Sequence, residues 1–272
     1  VHGGVGRNVA EDVARLGGGV LFVSSADDDM LGHGVVNRLS HSKIDTRYVR
    51  FAPSAGMGLW MVINDAAGRQ VGAISQMPDV KHIERIIDEH GDAIVREADH
   101  IVLEIDLNEQ ISRRVLDLAW MYGKQVYALP GNMEVLLRNV ELLKKVSCFI
   151  CNDIEAGRLF HTETAGKDPE DMQRLVRRGV KELELPSMVI TLGEKGCVFC
   201  DARKGAPEDG WEPAIATDVI DPSGAGDAFF SGTTLALTRG LPMRKAVKAG
   251  TQAAHRVLRS TESTVPAAKA VE

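Results

Sequence analysis

The sequence predicts an α/β fold: a mostly parallel sheet flanked by helices on both faces, in three layers, with a small antiparallel β-lid. Three observations carry that expectation. From residue 99 onward, short β-branched runs alternate with segments whose apolar residues recur every three or four positions, the pattern of repeated strand and helix units. Two strand-like runs, 58–64 and 69–75, interrupt the alternation and are joined by "DAAG", a hairpin signal with glycine at the turn. Near the end, "DPSGAGDAFFSG" (221–232) sets three small residues before an acid and then turns apolar, as a loop opening a helix does.

Each element follows from local chemistry. Val5, Val9, Val13 and Leu16 lie three or four apart and are stopped by Gly17, Gly18 and Gly19, so the first element is a helix. "VLFVS" (20–24) is a strand, and 29 to about 42 reads as a helix despite Gly32 and Gly34. After the hairpin the expected order is strand 99–105, helix 108–122, strand 125–129, helix 133–144, strand 146–151, helices 153–160 and 169–183, and strand 187–192. Strands at 196–201 and about 211–219 follow, with Pro207, Asp209 and Gly210 marking a loop between them, and helices at 225–239 and 242–258 close the pattern. No repeat, low-complexity tract or linker divides the chain, so 1–272 reads as a single domain with lid strands at about 55–77.

Composition narrows the function classes. A chain of 272 residues that is 44% hydrophobic can bury a sizeable core, yet no apolar run reaches the roughly 18 residues of a membrane span. The net charge of −6 is spread out, and the basic residues form only short pairs such as Arg113-Arg114 and Arg177-Arg178, so nucleic acid is not an expected partner. The opening lacks the features of a secretory signal, which gives a cytoplasmic expectation. It also reads as though a strand ahead of "VHGGVGRN" were missing.

Cys148, Cys151, Cys197 and Cys200 form two C-x-x-C pairs that on paper resemble zinc ligands. Their neighbours Phe149, Ile150, Val198 and Phe199 are strand-formers, and residues three apart on a strand face opposite ways. Buried core cysteines are therefore expected.

The glycine loop carries the chemistry. Without bulk at Gly224, Ala225 and Gly226, backbone N–H groups can converge on an anion at the positive end of a helix. An acid in that place repels phosphate but suits a hydroxyl, whose proton Asp227 would take as the oxygen attacks a phosphoryl group. The alternative is a tight strand-to-helix turn with Asp227 as a helix-start acid. "TLGEKG" (191–196) offers Thr191, Gly193 and Gly196 either as a nucleotide-phosphate loop or as a plain hairpin turn. Asn152 and Glu155 form a capping-box pattern and, at the carboxyl edge of a sheet, could also hold Mg²⁺. In "GGVGRN", Gly3 and Gly4 either bind a ligand or make a tight turn, and Asn8 is a candidate for a sugar hydroxyl. The dinucleotide fingerprint fails because Val9 stands where its third glycine belongs, and no P-loop occurs.

"GGVGRN" with "ARLG" after it, "DMLG" (29–32), "NDIEA" and "DPSGAGDAFFSG", in that order and over nearly the whole chain, resemble the ribokinase or PfkB family of carbohydrate and nucleoside kinases. "GGVGRN" and the hairpin followed by "AISQMPDV" are most similar to its pseudouridine-kinase branch. The resemblance implies a Rossmann-like core with a β-lid and ATP-dependent phosphorylation of a sugar or nucleoside hydroxyl. It implies Asp227 as the base, Gly224, Ala225 and Gly226 as the anion hole, and Asn152 and Glu155 at the Mg-phosphate region. Thr191, Gly193 and Gly196 would line the nucleotide site, and Gly3, Gly4 and Asn8 would meet the substrate. Asp221 and Ser223, with the "STEST" turn (260–264), would hold a monovalent cation such as K⁺. Pro222-Ser223 departs from the family pattern, as does Asp27, and the strand expected before "GGVGRN" would carry a substrate-binding aspartate. Exposed lid strands such as "GLWMVIN" suggest a homodimer. A non-catalytic nucleotide or metabolite sensor, and a sugar or sugar-phosphate kinase, are the competing readings.

Overall fold

Alternation along the central strands decides which side chain meets which layer of helices. In the computed structural model, which describes residues 3–53, 58–64, 70–76, 78–131, 133–203 and 207–267, six strands form one sheet in the order β10-β9-β8-β7-β6-β5. These are β5 (His100–Glu104), β6 (Gln125–Leu129), β7 (Cys148–Asn152), β8 (Ser187–Thr191), β9 (Cys197–Asp201) and β10 (Glu208–Glu212). β5 to β8 pair in parallel, whereas β8 with β9 and β9 with β10 are antiparallel. Val126, Ala128, Phe149, Cys151, Met188, Ile190, Val198 and Cys200 face one layer: α3 (Lys81–Glu97), α4 (Glu109–Met121), α5 (Glu134–Arg138), α6 (Asp153–Leu159) and α7 (Pro169–Glu182). The intervening Tyr127, Cys148, Ile150, Val189, Cys197 and Phe199 face α1 (Val5–Arg15), α8 (Ala225–Thr238) and α9 (Met243–Leu258). Each C-x-x-C pair is thus split between the two faces, and all four thiols are buried and free. Burial pushes the Cys148 thiol up to about 11, so it stays protonated and inert.

A second, two-stranded parallel sheet joins β1 (Leu21–Ala26) to β2 (Asp45–Phe51), with α2 (Met30–His41) between them in sequence. The Asp29 side chain caps α2 by accepting the Gly32 N–H at 2.8 Å. The hairpin expected as a lid is the antiparallel pair β3 (Leu59–Asn64) and β4 (Gln70–Gln76); the "DAAG" turn expected between them lies outside the described residues.

Several expectations are corrected. The helix expected at 133–144 is α5 followed by a separate 3-10 turn, Val140–Lys145. Asn139 breaks it: its side-chain amide donates to the Val135 carbonyl at 2.9 Å, and Arg113 donates to its oxygen at 2.9 Å. The strand expected at about 211–219 is β10, and Pro213, which has no N–H to continue the ladder, follows its last residue. Asp209 and Gly210, read as loop, belong to that strand: Asp209 pairs with Arg177 of α7, and Gly210 leaves room for the Phe199 ring. β2 and α3 were not expected. In β2, Arg47 and Arg50 obscure the apolar pattern and are paired with Glu97 and Glu89 of α3. In α3 the polar "DEHGD" interrupts the run of Ile83, Ile86, Ile87, Ile94 and Val95, all buried.

Because β5 to β8 run in parallel, their carboxyl ends share one edge, where the loops that carry chemistry in open α/β sheets lie. Glu104, Leu129, Asn152 and Thr191 end these strands.

Candidate active site

The glycine loop acquires its shape from a close approach. Gly224 has φ +80°, a left-handed conformation, and a Cβ there would overlap the Ser263 carbonyl oxygen. The loop is therefore seated on the 260–264 turn. The first α8 bond runs from the Ala228 N–H to the Gly224 carbonyl at 2.9 Å, so the amides of residues 225 to 227 precede the helical ladder. Of these, the Ala225 N–H donates to the Pro222 carbonyl at 3.2 Å, closing the turn. This departs from the expectation of three amides converging on one anion, because the turn engages one of them. The Asp221 side chain accepts the Ser223 N–H at 2.8 Å, and Ser223 is exposed.

Asp227, half-buried on the first turn of α8, accepts a hydrogen bond from Asn8 Nδ2 at 2.6 Å. Among the described residues it makes no ion pair. Loss of solvent pushes its carboxyl up to about 6, opposed by the Asn8 bond and the Arg7 charge. A base poised there is ionised at neutral pH and still basic enough to accept a proton. Asn8, expected to meet a sugar hydroxyl, has its amide N–H on Asp227, while Arg7 Nη2 and, at 3.4 Å, Ser263 Oγ donate to its oxygen. Gly4 opens α1 with φ +96°, and the Gly3 carbonyl accepts from Arg7 Nε at 3.3 Å.

Glu104 was not singled out in the sequence, where "IVLEID" reads only as a strand. It lies at the carboxyl end of β5 against Gly6 of α1, close enough to influence Asp227. Burial first, then the charges of Asp106 and Asp227, push its carboxyl up to about 7, against the Gly6 N–H that binds it. Asp106 holds the turn after β6 by accepting the N–H groups of Gly131, at 2.5 Å, and Met133. The signal available was an acid ending an apolar strand at the edge where sites form.

Farther along that edge, Asn152 and Glu155 make a complete capping box: Asn152 Oδ1 accepts the Glu155 N–H and Glu155 Oε2 accepts the Asn152 N–H, both at 2.8 Å. Burial raises the Glu155 carboxyl, with the charge of Asp106 adding to the rise. Register places Thr191 beside Asn152 on the adjacent strand. Gly193 starts the 3-10 turn Gly193–Lys195, and Gly196 has φ +88° against the Glu212 carbonyl.

Behind Asp227, α1 carries a charged cluster. Glu11, fully buried, binds Arg7 and Arg15 at 2.5 Å and Arg38 at 3.0 Å, and Arg15 and Arg38 each reach Glu262 at 3.1 Å. Arg15 also donates to Thr264 Oγ1 at 3.0 Å and the Val265 carbonyl at 2.7 Å. Asp12 Oδ1 accepts the Val265 N–H at 2.6 Å, while its Oδ2, also buried, has no hydrogen-bond partner among the described residues. Burial, with Asp227 and Glu11 nearby, pushes the Asp12 carboxyl up to about 7 from 3.8. The unfolded chain therefore loses this proton near pH 4 and the folded chain near pH 7, so stability falls as pH rises between them. Asp12→Asn keeps the Val265 bond and removes the buried charge. It is expected to stabilise the protein by about 1–3 kcal/mol at pH 8, once the cost of a buried amide is offset, with no gain at pH 4. Urea melts at the two pH values check this; equal midpoint shifts at both would contradict it.

A carboxylate on the first turn of a helix, beside a glycine loop and near the carboxyl end of β5, is an arrangement that suits a small-molecule kinase. The pfkB family carbohydrate kinase model matches residues 1–270. The chain belongs to that family. A guanosine-inosine kinase of Exiguobacterium acetylicum is 30% identical over 262 residues, covering 96% of this chain and 85% of the relative. A pseudouridine kinase of Escherichia coli is 26% identical over 247 residues, with 90% and 76% coverage. The fold matches that of Arabidopsis thaliana ribokinase solved with ribose and ATP, at a TM-score of 0.81 and 22% identity, covering 97% of this chain and 83% of the other. Among the described residues, no helix is long and apolar enough to cross a membrane.

Proposed function

We propose that this kinase transfers the γ-phosphoryl group of ATP to a hydroxyl of a nucleoside, with Asp227 as the general base. The observation that carries the reading is the Asp227 carboxyl, held by an amide rather than a cation, on the first turn of α8 beside the glycine loop; the loss of solvent that raises it to about 6 suits a base. As the acceptor oxygen bonds to the γ-phosphorus, its proton passes to Asp227 and the bond to the β,γ-bridging oxygen breaks, releasing ADP. The amides at the start of α8, Gly226 foremost, offset charge on the group in transit, and the helix dipole adds to them.

Gly3, Gly4 and Asn8 would meet the acceptor, with Glu104, seated against Gly6 of the same segment, as a second hydroxyl ligand. Thr191, Gly193 and Gly196 would line the nucleotide. Among the described residues no group of three or more His, Cys, Asp or Glu side chains is placed to hold a metal ion. Mg²⁺ typically binds through one or two carboxylates, water and substrate phosphates, and the single acid Glu155 fits that donor set. When bound, it would neutralise phosphate charge. Asp221 and Ser223, against the 260–264 turn, are the proposed surroundings of a monovalent cation such as K⁺. Met61, Ile63 and Ile74 are exposed on the lid and support pairing of two copies through it.

Two relatives with nucleosides in their names favour a nucleoside over a free sugar. The test is a phosphoryl-transfer screen with ATP and Mg²⁺ against guanosine, inosine, pseudouridine, ribose and fructose 6-phosphate. Turnover on one or more nucleosides, at least tenfold above the sugars in kcat/KM, is the expected result. Turnover on sugars alone overturns the acceptor class, and thermal stabilisation by ligands with no phosphorylated product favours the sensor.

A further inference from the structure

We infer that Arg7 is a positioning residue for the transfer step: anchored by Glu11, its guanidinium grips the Asn8 side-chain oxygen and thereby turns the Asn8 N–H onto Asp227. The inference rests on the reading of Asp227 as the base.

An asparagine side chain has two nearly isosteric ends, and only the nitrogen end suits a carboxylate. A flipped Asn8 would set its carbonyl against Asp227. Arg7 forbids the flip, because its Nη2 donates to Asn8 Oδ1 and would confront an NH₂ group if the amide turned over. Ser263 reinforces the choice, receiving Arg7 Nη2 at 3.3 Å and donating to Asn8 Oδ1 at 3.4 Å.

Arg7 is itself tightly held. It is 5% exposed, its Nε donates to the Gly3 carbonyl at 3.3 Å, and its Nη1 meets Glu11 at 2.5 Å. Glu11 is in turn bound by Arg15 and Arg38, which tie α1 to α2 and to Glu262. A planar guanidinium serves several acceptors in fixed directions at once, which a lysine ammonium on a flexible stem does not. The chain Glu11, Arg7, Asn8, Asp227 therefore transmits the rigidity of a buried charged cluster to the proposed base.

Charge acts alongside geometry. Arg7 and Asp12 face Asp227 from α1 and Glu104 faces it from β5, with Asp106 behind Glu104; Arg7 is the cation of the set and lowers the Asp227 carboxyl. Removing it leaves the base among acids.

The test compares kcat and KM across pH for the wild type, Arg7→Lys, Arg7→Met and Arg7→Met/Glu11→Gln, with Asp227→Asn as the reference. The double variant avoids leaving Glu11 buried without its Arg7 partner, and thermal melts establish that each variant folds. Misplacing a catalytic group by about 1 Å costs up to roughly 100-fold, so Arg7→Lys is expected to lose about 10- to 100-fold in kcat with the nucleotide KM unchanged within about twofold. The two methionine variants should lose as much, and their acid limb should also rise by about one pH unit. Folded variants with wild-type kcat and an unmoved acid limb overturn the inference. An active Asp227→Asn enzyme overturns the base reading instead, so the two failures are distinguishable.

Discussion

Asp227→Asn is expected to lower kcat by about 10²–10⁴-fold, the range that general-base catalysis contributes, while nucleotide affinity stays within about threefold. Asparagine keeps the shape of the side chain and can still accept the Asn8 N–H through its oxygen, so the 2.6 Å contact across α1 and α8 survives. Only the proton acceptor is lost. In the wild type, kcat should fall as pH drops through about 6, where the Asp227 carboxyl protonates. The slope has this sign because an acid whose pKa is raised is neutral, and useless as a base, below that value. Rapid-quench measurement of ADP and phosphorylated acceptor from pH 5 to 8 reads both effects. A variant within about tenfold of wild type would remove Asp227 from the chemistry and leave it the role of a helix-start acid.

Gly224→Ala should damage stability and turnover together. A left-handed backbone costs alanine about 1–2 kcal/mol, and forcing a methyl into a filled space typically adds about 1–3 kcal/mol. The obstructing atom is the Ser263 carbonyl oxygen, part of the backbone, so a side-chain rotation cannot relieve the overlap. The expected loss is therefore about 2–5 kcal/mol, read as a lower urea midpoint. Separating the loop from the 260–264 turn also displaces Asp227, three residues on. Gly226→Ala supplies the contrast: a Cβ there meets no atom within 4 Å, so the fold should hold at wild-type stability. Equal midpoints for Gly224→Ala and the wild type would show that the loop does not rest on Ser263.

Much of the fold was legible because burial leaves a period in the sequence. Strands β6 to β9 are nearly continuous apolar runs, buried on both faces, and their limits, like those of β5, were readable to within one or two residues. The failures have a common physical origin in tertiary partners. β2 owes its two arginines to acids on α3, 39 and 50 residues away, and neither segment announces the other. Gly210 looked like a turn residue but is small because the Phe199 ring lies over it. At the site, the glycine loop, Asp227 and the capping box were readable from local spacing. Glu104 was not, because its importance arises where β5 meets Gly6, a juxtaposition between separate elements. Asn8 was noticed as a candidate hydroxyl ligand, but nothing in "GGVGRN" reveals that its amide also meets an acid 219 residues downstream.

The pairing of α1 with residues 262–265 also bears on how the enzyme comes into being. Partners of Asp12 and Arg15 lie about 250 positions later, an interval that takes roughly 12–50 s to translate at about 5–20 residues per second. Throughout that time Glu11 has Arg7 and Arg15 beside it on α1, while the Val265 partner of Asp12 and the Glu262 partner of Arg15 have yet to be made. Ser263, which helps fix Asn8 and seats the glycine loop, emerges in the same late stretch. The proposed site is therefore complete only after residues 262–265 have been made.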